Sequence, residues 1–268
     1  MNQIKRLVND CFRLFGREVL SAEAYGRLAA QSEELHHAGA HLREYEFLRS
    51  LPPEVAARVF ELLPHSRAQL RQDLFTLATL DFKEEGYFVE FGATNGVDLS
   101  NSWLLENKFG WTGILAEPAK QWHGDLFKNR QCLIDTRCVW RSSGEEIVFF
   151  EAETGELSTI EAFAHSDMHA ARRESGRRYP VKTVSLLDLL VEHRAPPIID
   201  LLSIDTEGSE YEILHALDFE RFRFRVITVE HNFTAARERL QSLLMRHGYE
   251  RRSPTVSYVD DWYVLKSA

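Results

Sequence analysis

From Gly86 onward, short apolar runs alternate with stretches of helical spacing, and few folds accommodate that alternation. "YFVEF" (87–91), "TGILAEP" (112–118), "CLIDTRCVW" (132–140), "EIVFFEA" (146–152), "IIDLLSID" (198–205), "RFRVITVEHN" (223–232) and "VSYVDDWYVLK" (256–266) have the length and the branched or aromatic content of strands. Helical segments fall between most of them, at 99–109, 120–129, 185–193, 209–217 and 235–248. Runs that are apolar throughout and separated by helices imply an α/β fold, with a mainly parallel sheet covered on both faces. Ser185, followed three residues later by Asp188, predicts a capping box at the start of 185–193. The segment from about 153 to 180 contains "HSDMHAARRESGRRYP" and follows neither pattern. It is long for a connection and is expected to be a lid or substrate loop.

Residues 1 to about 80 read as helical. Ile4, Leu7, Val8, Cys11 and Phe15 recur at i, i+3, i+4 spacing and form one apolar stripe, expected to dock on its own domain or on a second copy in a homo-oligomer. The expected organisation is an N-terminal helical region, 1–65, and a larger domain, 66–268. A net charge of −9 disfavours binding to a nucleic-acid backbone and leaves small molecules open. No apolar run reaches the ~18–20 residues of a membrane span, and acidic and polar residues interrupt the N-terminal apolar positions as no secretory signal would. Three cysteines without a C-x-x-C pair fit thiols in a reducing compartment, so the expected location is the cytoplasm.

Ligands of open α/β sheets bind beyond the carboxyl ends of the strands. "FVEFGATNG" (88–96) lies at the end of the first such strand, and Gly92 and Gly96 allow a sharp turn and close approach to a ligand. The spacing is not the G-x-G-x-x-G of a dinucleotide loop, which counts against a nicotinamide-dependent dehydrogenase. Glu90 is a poor neighbour for pyrophosphate and suits a ligand with an ammonium or sulfonium charge. Glu117 ends the next strand, where a carboxylate can accept both hydroxyls of a ribose. Together these acids favour a nucleoside with a cationic tail, such as S-adenosylmethionine.

"FVEFGATNGVDLSNS", "GWTGILAEP", "ELSTI", "VKTVSLLDLL", "LLSIDTEGSEYEIL" and "VITVEHN" resemble, in order, the FkbM-type family of S-adenosylmethionine-dependent methyltransferases. The resemblance runs from about Gln69 to the C-terminus. It implies a Rossmann-like, seven-stranded methyltransferase sheet, mostly parallel with the last strand antiparallel, and O-methylation, often of a sugar hydroxyl. It further implies that Glu90, Gly92, Ala93 and Gly96 line the methionine part and that Gln72 and Asp73 lie near its end. Glu117 and Pro118 fall at the ribose, and Cys138 and Val139 at the adenine.

On the acceptor side, a hydroxyl becomes a good nucleophile when it loses its proton or meets a metal. Asp205 closes "LLSID", and Glu230 and His231 close "ITVEH", so the three are expected on one rim. Asp205 and His231 are the candidate catalytic residues, with His231 as a general base near neutral pH. Asp205, Glu230 and His231 are also a candidate site for Mg2+. Arg172 and Arg173, in a basic run, are candidate contacts for an anionic acceptor. A non-catalytic relative that binds the cofactor and acts in assembly is the alternative function.

Overall fold

The apolar runs pair into two sheets. The computed structural model describes residues 34, 38–153, 155–164 and 175–266. The chain divides into two compact units, Met1–Glu46 and Phe47–Ala268. In the first, residues 34 and 38–46 are helical; the stripe from Ile4 to Phe15 lies outside the described residues.

In the second unit, helix α1 (Pro53–Leu62) and α2 (Gln72–Thr79) precede strand β1 (Tyr87–Phe91). There follow α3 (Trp103–Phe109), β2 (Thr112–Ala116), α4 (Lys120–Asn129) and β3 (Leu133–Asp135). Strands β4 (Cys138–Trp140), β5 (Glu146–Ala152), β6 (Thr159–Ile160) and β7 (Gly176–Ser185) form an insertion. The chain then continues through α5 (Leu186–Glu192), β8 (Ile198–Ile204), α6 (Glu210–His215), β9 (Arg223–Glu230), α7 (Ala236–Arg246), β10 (Tyr249–Arg252) and β11 (Asp260–Leu265).

The main sheet has seven strands in the order β10-β11-β9-β8-β1-β2-β3. It is parallel from β9 to β3, while β11 runs antiparallel to both β9 and β10. Strand order reverses at β1, which pairs β2 on one side and β8 on the other. Strand alternation divides the core. Val89, Phe91, Ile114, Leu202, Ile204 and Ile227 pack in one cluster with residues of α5, α6 and α7. Phe88, Leu115, Leu201, Val226 and Trp262 pack in another with residues of α1 to α4. The indole of Trp262 stacks on Phe75 at 4.6 Å and meets the edge of Phe47 at 6.0 Å.

The fold class is the expected one, but three assignments change. The run 132–140 is two strands. At the bend between them the backbone N–H and guanidinium of Arg137 donate to the Asp135 carboxylate, and the same guanidinium also donates to Glu192. After that bend β4 leaves the main sheet to pair with β7. Strand β5 also belongs to the second sheet, of order β4-β7-β5-β6. The seventh strand of the main sheet is instead β10, "YERR", whose charged residues carry no apolar signal. Finally, residues 176–180 of the expected loop pair antiparallel with β5. Arg178 there bridges to Glu161 at 2.9 Å and lies over the Phe150 ring.

Ser185 does cap α5, accepting from the Asp188 N–H at 3.0 Å. The reciprocal half is rerouted: the Ser185 N–H donates to Ser143 Oγ, and the Ser143 hydroxyl donates to Asp188. The cap thus becomes a link to the second sheet.

Trp262→Ala is expected to destabilise the protein by about 3–5 kcal/mol in urea titration, because the cavity between Phe47 and Phe75 cannot collapse. Phe127→Ala, at a side chain 57% exposed, is expected to change stability by less than about 0.5 kcal/mol.

Candidate functional site

The parallel strands deliver carboxylates to one edge of the sheet. Glu90 lies next to the end of β1, Glu117 follows β2, Asp205 follows β8 and Glu230 ends β9. Glu90, Gly92, Glu117, Cys138, Val139 and Asp205 line one cleft at this edge, together with Thr94, Leu99, Asn101 and Ser158. The cleft therefore brings together the expected residues at the ends of β1, β2 and β8 and on β4, with Pro118 among them, while Glu230 and His231 do not line it.

Glu90 is buried, and its carboxylate is taken up by its own loop. Oε1 accepts from the Asn101 N–H at 2.7 Å, and Oε2 accepts from the hydroxyls of Ser100 and Ser102. Arg130, with no exposed side-chain surface, stands 4.0 Å away. Its guanidinium donates to Glu106, to the Gly96 carbonyl, and to Ser100 and Ser102. This makes Glu90 the organiser of the loop 92–102. A side chain on Gly96 (φ +80°) would strike the aliphatic stem of Arg130 and Leu126, so that glycine makes room for the arginine, and it is not among the residues lining the cleft. Ala93 is likewise packed in the core. Arg130 lies in none of the family-like stretches, and Asn101, although inside "FVEFGATNGVDLSNS", carries no signal there that marks it as a site residue.

Gly92 (φ +74°) permits a backbone contact between strand ends, since a Cβ there would lie 2.1 Å from the Asp205 carbonyl oxygen. Glu117 accepts from the N–H groups of Thr94 and Ala119 at 2.9 and 2.8 Å. Burial pushes its carboxyl up to about 7, against those two hydrogen bonds, with Asp205 and Glu151 adding repulsion. The second sheet buttresses this corner. Glu151 on β5 accepts from the Gln121 N–H at the start of α4 and from the Tyr179 hydroxyl.

Beyond Glu117 the acids gather. Ligand oxygens of Asp205, Glu207 and Glu230 lie within 4.8 Å of one another. Burial, then the Glu210 charge, raises Asp205 to about 7 despite its hydrogen bond with Glu230. Burial and Asp205 raise Glu230 as well. Asp260, opposite Glu230 in the β9–β11 register, is raised to about 8 by burial and by Asp205.

His231 does not join this cluster, and Glu207 takes the place expected for it. The imidazole Nδ1 accepts from the Phe233 N–H at 3.0 Å, and Nε2 faces Asp261 at 3.7 Å. Burial lowers its pKa from the ordinary 6.5 against the pull of Asp261, so the ring is neutral near pH 7. Gln72 donates to Asp260 at 2.8 Å, tying α2 to the acid cluster. Asp73 turns away to accept from Ser66. Neither lines the cleft. Arg172 and Arg173 lie outside the described residues.

The methyltransferase FkbM domain family model matches residues 90–255. No curated protein matches the chain in sequence. Among solved structures the chain is similar to precorrin-6y C5,15-methyltransferase from Geobacter metallireducens GS-15, at 13% identity and TM-score 0.40, covering 73% of this chain and 87% of that one. It is also similar to methyltransferase FkbM from Methylobacillus flagellatus KT, at 10% identity and TM-score 0.42, covering 79% of this chain and 60% of that one. A third is a TehB-like SAM-dependent methyltransferase from Corynebacterium glutamicum ATCC 13032 Kitasato, at 9% identity and TM-score 0.36, covering 80% and 97%.

Asp205, Asp260 and Glu117 each hold a proton more tightly folded than unfolded. Their pKa values rise from 3.8, 3.8 and 4.5 to about 7, 8 and 7. Between those limits the folded state binds more protons, so stability falls as pH rises. The melting temperature of the ligand-free protein is expected to decline from pH 5 to pH 8, and Asp205→Asn to flatten that decline. Glu90→Ala leaves Arg130 buried with Glu106 as its remaining carboxylate partner. It is expected to cost about 3–5 kcal/mol in urea unfolding.

Proposed function

The chain belongs to the methyltransferase FkbM family, and on that premise we propose that it transfers the methyl group of S-adenosylmethionine to a hydroxyl of a sugar or glycan intermediate. The observation that carries the reading is the cleft itself, where Glu117, Asn101 and Asp205 converge at the strand-order reversal. The residues fit this cofactor. Asn101 is buried and lines the cleft; its Nδ2 donates to Ser203 and its Oδ1 has no hydrogen-bond partner. That oxygen is an acceptor for an ammonium group. Glu117, held by two backbone donors, keeps lone pairs for ribose hydroxyls. Cys138 and Val139 offer an apolar wall for the adenine.

When bound, S-adenosylmethionine supplies an electrophilic methyl group. The chain supplies position and a proton acceptor. Asp205 and Glu230 share a hydrogen bond; burial raises both carboxyls, Asp205 to about 7, which suits a base working at neutral pH. With the cofactor bound, this pair would accept the proton that the acceptor hydroxyl loses in exchange for the methyl group, S-adenosylhomocysteine being left by cleavage of the methyl–sulfur bond. His231, neutral and turned to Asp261, orients the loop after β9 and leaves proton transfer to the carboxyl pair.

The three converging carboxylates support a second reading, in which Asp205, Glu207 and Glu230 hold Mg2+ and the cation activates the hydroxyl.

Calorimetry with S-adenosylmethionine, S-adenosylhomocysteine and NAD tests the assignment. Binding of both sulfur ligands without NAD is the expected outcome, and tight NAD binding would refute the reading. Glu117→Ala is expected to weaken binding about tenfold or more, the loss of hydrogen bonds to a charged group. Asp205→Asn is expected to spare cofactor binding and lower turnover by about 10²–10⁴. Activity that EDTA abolishes and Mg2+ restores would favour the cation route over the carboxyl pair acting alone.

A further inference from the structure

The turn between β5 and β6 carries a carboxylate for which neither the fold nor the cofactor contacts proposed above have a use. Glu156 lines the cleft and is exposed, and it has no hydrogen-bond or ion-pair partner among the described residues. Its place is nevertheless fixed. The Gly155 N–H donates to the Ala152 carbonyl at 2.9 Å, and the Ser158 N–H and hydroxyl both donate to the Gly155 carbonyl. Gly155 (φ +73°) rests on α4, where a Cβ would come within 2.3 Å of the Trp122 ring. On β6, the Thr159 hydroxyl donates to the Glu207 carbonyl at 2.9 Å and reaches that of Thr206 at 3.3 Å. Those two carbonyls directly follow Asp205. The second sheet is thus bonded to the loop beyond β8, and it brings Glu156 to the same cleft as Asp205. Burial and then Glu210 raise Asp205 most, and the Glu156 charge adds to them, as a near neighbour would.

The cleft is one-sided in charge. Glu90, Glu117, Glu156 and Asp205 contribute carboxyl groups, and among the described residues no arginine, lysine or histidine lines it. Glu90 is satisfied by its own loop, and Glu117 is assigned to the ribose. That leaves Asp205 and Glu156 for whatever lies beyond the cofactor. Two acceptor groups without a cation between them call for a ligand that donates.

We infer that Glu156 is a binding residue for the methyl acceptor, and that this acceptor is an uncharged polyol. One hydroxyl meets Asp205, and a neighbouring hydroxyl donates to Glu156. An ionised carboxylate offers lone pairs on both oxygens and has no proton to give, so it selects hydroxyl donors. It also repels an acceptor that carries its own negative charge at that end. The inference rests on the methyltransferase reading above, in which Asp205 serves the acceptor.

Saturation-transfer NMR titration of the full chain with methyl glucoside and methyl glucuronoside tests it, with and without S-adenosylhomocysteine. The glucoside is expected to bind, and the glucuronoside to bind more weakly. Glu156→Gln is expected to weaken glucoside binding about three- to tenfold, since a charged acceptor becomes a neutral one. The same substitution is expected to strengthen glucuronoside binding, because the repulsion is gone; a merely structural role would weaken both. The side chain is exposed, so the melting temperature is expected to hold. Calorimetry is expected to find the affinity for S-adenosylhomocysteine unchanged in Glu156→Gln. Unaltered protein that binds no glucoside, or binds the glucuronoside at least as well, would overturn the inference. So would a Glu156→Gln variant in which both probes bind as before or weaken alike, or one that loses affinity for S-adenosylhomocysteine, which would put Glu156 on the cofactor. Failure of the unaltered protein to bind S-adenosylhomocysteine would instead strike the methyltransferase reading, and the titrations without it would still be read on their own.

Discussion

The buried carboxylate of Glu90 holds the upper edge of this sheet together. A charge taken out of water must be met by donors, and here the donors all come from the chain that turns back over β1. Asn101, Ser100 and Ser102 reach down to it, and Arg130 closes the far side while holding the Gly96 carbonyl. Because these donors sit on one short segment, satisfying the charge also shapes the loop. Thr94 then presents its N–H to Glu117, and Leu99 and Asn101 face the cleft. Asn101 extends the network into the sheet through Ser203, to which Thr228 also donates. A single buried carboxylate thereby sets the positions of β1, β8 and β9 side chains.

The other acids show the opposite economy. Glu117 is as deeply buried as Glu90 and Asp205 is half-buried, but neither has a basic side chain among the groups that stabilise it. Their ionisation is costly in the ligand-free protein, and that cost is what a ligand offering hydroxyls, an ammonium or a metal cation can relieve. A strained, under-compensated site on a rigid sheet is the usual arrangement of binding machinery. Asp261 shows what full compensation looks like in the same fold: Arg237 donates to both of its oxygens, and Arg251 stands 3.6 Å away.

Much of this was legible in the sequence. The apolar runs and helical spacings announced the sheet, and the acids at strand ends announced the rim. What the sequence concealed was partnership. Glu90 looks like a ligand for a cation until Ser100, Ser102 and Arg130 are seen to occupy it. His231 sits beside Glu230 in sequence, but adjacent strand residues point to opposite sides, and the imidazole goes to Asp261 while Glu207 takes its place. The split at Asp135 was hidden because three polar residues, 135–137, read as a brief interruption of one apolar run, whereas the Arg137 guanidinium that fixes the bend also reaches Glu192, far along the chain. Strand β10 was missed because its outward residues are charged.

The pairing of β1 with β8 also governs the order in which the molecule can be made. Phe88 lies against Leu201, with β2, β3 and the whole second sheet intervening in the chain. During synthesis β1 has β2 for company, and its other edge stays unpaired until the ribosome has released β8. Contacts this remote in sequence close slowly and leave apolar edges open to wrong partners meanwhile. The cleft, whose walls come from both sides of that seam, is thus among the last features to form. Partial chains that end before Ile204 would carry the glycine loop without the strand against which it rests.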